Sequence, residues 1–153
     1  MPTVDIQLKG LEEVERRLRK LPANVERRVL KEALLDGGKP MLAEAQRRAP
    51  VGMPRRHPKS TPLRDALTLG LHKTAKGLVW VRLGVDYTKN RVAHLVEFGH
   101  RLVRGSKTYG EVRPHPFIRP SYDATKREVV QGIERNIVVG VEREAGKLGR
   151  GGR

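Results

Sequence analysis

The sequence predicts an α+β fold, in which an antiparallel sheet of about four strands is covered by a kinked long helix and a C-terminal helix. Two patterns predict this class: short segments in which apolar and polar residues alternate, and longer segments with apolar residues three or four positions apart. A chain of 153 residues can bury one sizeable core. We therefore expect a single domain over residues 1–145, followed by a flexible Gly/Arg tail over 146–153.

The N-terminal part of the chain predicts one strand and two helices. Apolar and polar residues alternate over 4–8, which is typical of a half-buried strand. Helical spacing over 11–21 predicts a short amphipathic helix. A second, longer helix is predicted from its cap at Asn24 to Pro50. Its interior contains "DGGKP", and because Pro40 has no N–H to donate, we expect a kink or two stacked segments there.

The middle of the chain predicts an exposed loop and a hairpin. Residues 52–62 contain three prolines and four basic side chains, with almost no apolar residue to bury. Alternation over 67–71 and again over 79–85 predicts two strands joined by a turn at "TAKG".

The last third predicts a strand, a long loop and a helix. The segment 92–98 consists of strand-forming residues and is predicted to be a strand, with Val92, His94, Val96 and Phe98 on one face and Ala93, Leu95 and Glu97 on the other. The following "RLVRGSKTYGEVR", residues 101–113, shows no apolar periodicity and is predicted to be a loop. Ser121 or Asp123 can cap a final helix, whose apolar stripe continues to Val141.

The composition is strongly basic and contains no cysteine. Lys and Arg number 32 against 17 Asp and Glu, which gives a formal charge of +15. Such a charge predicts an acidic counterpart: nucleic acid, an anionic membrane surface or an acidic protein surface. No apolar run approaches the ~20 residues of a membrane-spanning helix, so we expect no membrane partner. Disulfides and thiolate metal sites are excluded by the absence of Cys.

The motifs do not favour catalysis, and no cofactor or metal is expected. His94, Glu97 and His100 are spaced by three, but on a strand Glu97 would face away from both histidines. The sequence contains no nucleophile elbow, phosphate-binding loop or dinucleotide motif. We therefore predict that the protein is not an enzyme.

Nucleic-acid binding is the alternative from a different class, as a basic binding protein or a small nuclease. The charge favours any polyanion. However, the aromatic residues Trp80, Tyr87, Tyr109 and Phe117 do not alternate with basic residues as a base-stacking platform would. A non-specific contact with DNA is the most that this pattern predicts.

Two segments, "HLVEFGH" and "HPFIRPSYD", together carry a resemblance to a known family. In their order along residues 4–142, the chain resembles the head–tail joining and tail-completion (neck, minor tail) proteins of long-tailed, siphovirus-type bacteriophages. The matching motifs are Ala93–Gly99 and Pro116–Ser121. The chain departs from the family pattern in its longer loop at 52–62, and in His100, where Thr or Ser is common.

The resemblance implies a structural, non-enzymatic protein of the virion tail or neck, synthesised in the host cytoplasm. It would form a homo-oligomeric ring, a hexamer, between the connector and the tail tube. Its partners would be the connector or head-completion, tail-terminator and tail-tube proteins, with non-specific contact to packaged DNA. A tail terminator of the same virion is the alternative that lies nearest to this role.

The resemblance also implies a subunit interface around the first motif. Gly99 would let the backbone turn, and residues 101–113 would reach a neighbouring subunit. Arg119 would pair with a carboxylate, with Glu97 as the candidate, either across an interface or within the chain. The candidate interface residues are Arg55, Arg56, Glu97, Phe98, Gly99, His100, Arg101, Arg104, Lys107, Tyr109, Phe117 and Arg119.

Overall fold

A computed structural model describes residues 12–51, 61–73 and 79–150. The predicted strand over 4–8, most of the loop 52–62 and the "TAKG" turn lie outside the described residues. The described part forms five helices and four strands. In chain order these are α1 (Glu12–Arg19), α2 (Ala23–Arg48), α3 (Leu63–Ala66), β1 (Leu67–Lys73), β2 (Val79–Val85), α4 (Ala93–Phe98), β3 (His100–Arg104), β4 (Lys107–Val112) and α5 (Ile118–Arg150).

The predicted α+β class is confirmed, with four strands in the described part of the chain. These strands form two separate two-stranded antiparallel sheets rather than one sheet: β1 pairs with β2, and β3 pairs with β4. Strands β1 and β2 are the pair that alternation predicted. Strands β3 and β4 lie in the segment that was predicted to be a loop, and the strand predicted over 92–98 is helical instead.

The chain divides into two compact units. Unit 1 comprises Met1–Pro40, Gly70–Arg82 and Lys126–Arg153, and unit 2 comprises Met41–Leu69 and Leu83–Thr125. Each long helix, α2 or α5, contributes residues to both units. The single domain expected over 1–145 remains a prediction.

Helix α2 runs through Pro40 as one helix of 26 residues, rather than as two stacked segments. Gly37, three positions before Pro40, serves close packing within unit 1. A Cβ at Gly37 would overlap Ile133 of α5, lying 2.8 Å from its backbone N, and a Cβ at Gly132 would lie 3.5 Å from the Cα of Gly37. The absence of a side chain at Gly37 therefore lets the two helix backbones approach each other.

Buried aliphatic side chains from the two long helices form the interior of unit 1. The predicted stripe on α5 is largely correct, because Ile133, Ile137 and Val141 are all buried. From α2, Val29 and Ala33 are buried as well. Tight packing recurs here, since a Cβ at Gly140 of α5 would lie only 2.6 Å from Cγ1 of Val29.

One buried cluster forms the core of unit 2, and Phe117 is its largest member, with no exposed surface. Partly buried side chains from α2, β2, α4 and α5 pack around it. The buried members are Ala45, Ala49, Leu63, Leu67, Ala93 and Phe117.

Helix α5 has 33 residues and begins earlier than predicted, at Ile118 rather than beyond Ser121. It continues through Gly146 to Arg150, and so extends into the segment expected to be a tail. None of the helices in the described part of the chain combines the length and apolar character that a membrane-spanning segment needs.

Candidate functional site

Residues 93–98 form helix α4, so the prediction of a strand is wrong. Ala93 and Glu97, four positions apart, are buried on one face, while His94 and Phe98 are exposed on another. A short apolar run is compatible with both a strand and a helix, and periodicity alone does not separate them. In this case the tertiary contacts of Glu97 favour the helix.

The buried carboxylate of Glu97 caps the N-terminus of α5. Its Oε2 accepts hydrogen bonds from the backbone N–H groups of Phe117, at 2.8 Å, and Ile118, at 3.0 Å. Its Oε1 accepts a third from the N–H of Arg119, at 3.3 Å. A helix leaves its first four N–H groups without intrahelical partners. Counted from Phe117, which immediately precedes the helix, the first three of these N–H groups bind Glu97 and the fourth position is Pro120. Because Pro120 has no N–H, one carboxylate satisfies the whole helix end.

This arrangement corrects two expectations about the second motif. Arg119 meets Glu97 through its backbone N–H, whereas a charge pair with its side chain was expected. Ser121 does not cap the helix, because it lies inside α5 and its hydroxyl donates to the carbonyl of Phe117. The capping group comes instead from α4, twenty positions before Phe117 in the chain.

Gly99 joins α4 to β3 at a crowded point. Its φ of 72° lies in the left-handed region that favours glycine. A Cβ there would lie 2.6 Å from the carbonyl oxygen of Val112 and 2.9 Å from the N of Pro114. Next to this point the N–H of His115 donates to the carbonyl of Val96, at 2.8 Å. The two ends of the β3–β4 segment are thus fixed against α4.

Residues 100–112 form a hairpin rather than the predicted irregular loop. Its strands are joined by Gly105, with φ of 61°, and Ser106. The register shifts between Leu102 and Val103, which produces a bulge on β4 near Gly110, where φ is 151°. We call this element the basic hairpin.

The basic hairpin is exposed along its whole length beyond His100. Its apolar side chains are exposed as well: Leu102 by 45%, Val103 by 58% and Tyr109 by 66%. Three cations, Arg101, Arg104 and Lys107, alternate with them, while Glu111 is the one carboxylate. Exposed apolar side chains that are interleaved with cations indicate a surface that binds another molecule.

The structure separates the candidate interface residues into three groups. Arg55 and Arg56 lie outside the described residues. Glu97 and Phe117 are buried inside unit 2. The remaining candidates lie at the surface or close to it, at the end of α4, along the basic hairpin or in the first turn of α5: Phe98, Gly99, His100, Arg101, Arg104, Lys107, Tyr109 and Arg119.

Helix α4 changes the geometry of His94, Glu97 and His100, the candidate metal ligands of the sequence. Strand geometry does not separate Glu97 from His94, since both lie on a helix. Both carboxylate oxygens of Glu97, however, are occupied by N–H groups of α5. Among the described residues no three His, Asp or Glu side chains come together as a metal site requires. Nor does any buried polar side-chain atom in this part of the chain lack a hydrogen-bond partner.

Two charge clusters on the long helices were not predicted from the sequence. Hydrogen bonds from Arg47 and Arg48 lower the pKa of Glu44 from 4.5 to about 2. In unit 1, Glu144 is 5% exposed. A hydrogen bond from Lys147 is the main cause of its lowered pKa, with a further contribution from Arg28, whose guanidinium lies 2.6 Å away. The Glu44 pairs at spacings of three and four were visible in the sequence, but the Arg28–Glu144 pair joins distant segments.

An aromatic stack between β1 and β2 was also not predicted from the sequence. The ring of His72 on β1 stacks on Trp80 of β2, with centroids 4.7 Å apart. The guanidinium of Arg82 lies 4.9 Å from the Trp80 centroid. The indole is therefore engaged by the protein's own side chains.

Comparison with protein families assigns the chain to a class of phage structural components. A family model described as "Bacteriophage HK97-gp10, putative tail-component" matches residues 12–99, more than half of the chain. The protein belongs to this HK97-gp10-like family. The match includes the motif Ala93–Gly99 and ends before Pro116–Ser121. No curated protein and no solved structure gives a significant match.

Family membership confirms the resemblance to phage tail proteins and supports a structural role in the tail, and hence a place in the virion. It also implies contact with other structural proteins of the phage.

Proposed function

We propose that the protein completes the tail and joins it to the head at the neck, as a hexameric ring between the connector and the tail tube. Membership of a family of tail components supports the structural role. The observation that carries the finer assignment is the basic hairpin, an element whose exposed apolar side chains need a partner to cover them.

The energetics of the hairpin favour assembly. An isolated two-stranded hairpin is at best marginally stable in water. Here its root is held by Gly99 and by the hydrogen bond from His115 to Val96, yet the strands themselves extend into solvent. An element of this kind gains stability when another protein of the assembled tail or neck buries it.

The polar groups near the hairpin have structural roles. Glu97, the buried carboxylate of the motif Ala93–Gly99, is used as a helix cap, and the buried polar atoms of the described residues are already satisfied. Groups engaged in this way are poorly placed to bind a substrate. A structural role is therefore the simplest function for this region.

Deletion of the gene from the phage tests the assignment. If the protein joins head and tail, the deletion should give filled heads and tails of normal length that do not attach, as seen by negative-stain microscopy. Supplying the wild-type protein in trans should restore joined particles. Tails of abnormal length would favour the terminator alternative, and absence of the protein from purified virions would contradict both.

The hexameric ring needs its own measurement. Light scattering on the purified protein, alone and bound to isolated tails, should give a hexamer in at least one of these states, with ring-shaped particles in negative stain. A protein that stays monomeric in solution and occurs as a single copy per tail would contradict the ring.

The +15 charge supports the alternative of a nucleic-acid-binding protein or small nuclease. Fluorescence anisotropy with duplex DNA at low and moderate salt would detect tight binding by the isolated protein. A metal-dependent cleavage activity that His94→Ala removes would show that the protein is an enzyme and would overturn the structural role. His94 is exposed on α4, so this substitution should leave the fold intact.

A further inference from the structure

We propose that the basic hairpin inserts into a groove on a different tail or neck protein, and that this groove is apolar along its floor and lined with carboxylates at its rim. The inference rests on the proposed function in one respect, which is that the partner belongs to the virion.

The distribution of apolar side chains points to a groove rather than a flat surface. Leu102 and Val103 are consecutive on β3, so they point to opposite faces of the ribbon. Both are about half exposed, and Tyr109 on β4 adds a third apolar side chain. A flat partner would cover only one face, whereas a groove covers both.

The edges of the ribbon are also open. Within the described chain, β3 and β4 pair only with each other, so each strand has an outer edge. Unpaired N–H and C=O groups at such edges can hydrogen-bond to another strand. A groove with a strand along one wall would satisfy these groups and bury the apolar side chains at the same time.

The charge of the hairpin selects the chemistry of the partner. The hairpin carries three cations, Arg101, Arg104 and Lys107, but only one carboxylate. This carboxylate, Glu111, lies opposite Arg101 in the register. A second copy of the chain is a poor match for the hairpin, because its basic side chains outnumber its acidic ones by 32 to 17, so contacts within the proposed ring would be made by other elements. Duplex DNA would attract the cations but would leave Leu102, Val103 and Tyr109 uncovered. A protein with acidic side chains around an apolar groove fits both features.

The root of the hairpin presents it in a fixed direction. Gly99 has no room for a side chain beside Val112, and the carboxylate of Glu97 fixes α4 against the start of α5. An arm held at both ends loses less conformational freedom on binding than an unstructured loop would. The direction of the arm is therefore set at its root before assembly, although its strands remain free to open.

Photo-cross-linking inside the virion tests the proposal. The cross-linking amino acid p-benzoylphenylalanine would be placed at Tyr109 and, as a control, at Val139, which is 56% exposed on α5. Virions would be irradiated, and the joined peptides identified by mass spectrometry. We expect position 109, but not position 139, to cross-link to a different virion protein, at a segment with apolar residues beside Asp or Glu. A cross-link to a second copy, to DNA or to a segment without carboxylates, or no cross-link, would overturn the proposal.

Matched substitutions test the energetic contribution. Val103→Ser removes an apolar contact from the hairpin, and Val139→Ser removes a side chain of nearly equal exposure from α5. Because burying such a side chain favours binding, Val103→Ser should lower the affinity for the partner about tenfold and thereby lower the yield of joined particles, while Val139→Ser leaves the yield unchanged. Arg104→Glu should act like Val103→Ser, with Arg127→Glu on the exposed face of α5 as its control. Equal effects within each pair would contradict the proposal.

The outcomes separate this inference from the proposed function. If the protein is found at the neck but its hairpin is indifferent to these changes, only the groove proposal fails. If the protein is missing from the virion, both proposals fail. Circular dichroism and the thermal midpoint of each variant would show that a loss of joining does not come from unfolding.

Discussion

Glu97 is the residue through which the two sequence motifs act together. It lies in the first motif, and the three N–H groups that it binds lie in the second. A negative charge at the start of a helix also interacts favourably with the helix dipole. The second motif also contributes Pro120 at the next position, and because proline has no N–H, no further acceptor is needed there. The pairing of Glu in "VEFG" with "PFIRP" therefore has a physical reason.

Replacement of Glu97 should strongly destabilise unit 2. Glu97→Ala leaves three N–H groups at a partly buried helix end without an acceptor, and we expect a loss of about 2–4 kcal/mol in the free energy of unfolding. Glu97→Gln keeps one oxygen and should cost about 1–2 kcal/mol. Urea denaturation followed by circular dichroism measures both. Glu128→Ala, on the exposed face of α5, is the control, and a similar loss in the control would show that the cap contributes little.

Gly37 and Gly146 should respond in opposite directions to the same substitution. Gly37→Ala places a Cβ against Ile133 and should destabilise the protein by about 1–3 kcal/mol, although alanine favours helices. At Gly146 a Cβ would meet no atom within 4 Å, so Gly146→Ala should stabilise α5 by about 0.5–1 kcal/mol. Thermal midpoints of the two variants, compared with the wild type, would measure both effects. Stabilisation by Gly37→Ala would mean that α2 and α5 are not closely packed at this position.

At the scale of elements, length and contact range determined what the sequence could predict. The long helices, α2 and α5, and the alternating strands, β1 and β2, carry enough repeats to be recognised locally. Helix α4 has only six residues, and what holds it, the start of α5, is twenty positions away. The basic hairpin has no buried face, so its strands lack the alternation that marks a half-buried strand. The candidate surface residues of the hairpin were identified, but its strands and the burial of Glu97 were not.

Among the described elements, the basic hairpin should be the least protected in the free protein. Its strands are exposed and pair only with each other within the described chain, so local opening costs little. Hydrogen exchange followed by mass spectrometry should show fast exchange over 101–111 and slow exchange over 129–141 in α5. In assembled particles the exchange over 101–111 should slow markedly. Unchanged exchange on assembly would show that no partner covers the hairpin.

Glu44, near the C-terminal end of α2, should contribute to the stability of the folded protein at neutral pH but not in strong acid. Its pKa is lowered from 4.5 to about 2 by Arg47 and Arg48, so the charged form is favoured in the folded state. A lowered folded-state pKa gives stability that is fully present above about pH 4.5 and is lost as the pH falls towards 2. Thermal midpoints of the wild type and Glu44→Gln should therefore differ at pH 6 and converge near pH 2. A difference that persists at pH 2 would point to packing rather than charge.

For the whole molecule, the excess of positive charge limits stability before assembly. A formal charge of +15 on 153 residues produces repulsion that no rearrangement within one chain removes. The ion pairs of Glu44 and Glu144 offset this locally. Their atoms lie within hydrogen-bonding distance, whereas the repulsion acts over much longer distances. An acidic partner would relieve the long-range repulsion, and this connects the composition with the proposed groove.

The free protein should accordingly become more stable as salt is added. The Debye length falls from about 30 Å at 0.01 M to about 10 Å at 0.1 M, so long-range repulsion is screened first, and contact pairs such as Arg28–Glu144 are affected less. Urea midpoints measured in sodium chloride from 0.01 to 0.3 M should rise. Sodium fluoride at the same ionic strengths should give the same increase, because screening depends on ionic strength and not on the identity of the anion. A midpoint that falls with salt would mean that the local ion pairs outweigh the repulsion, and the acidic partner would then lose its main electrostatic justification.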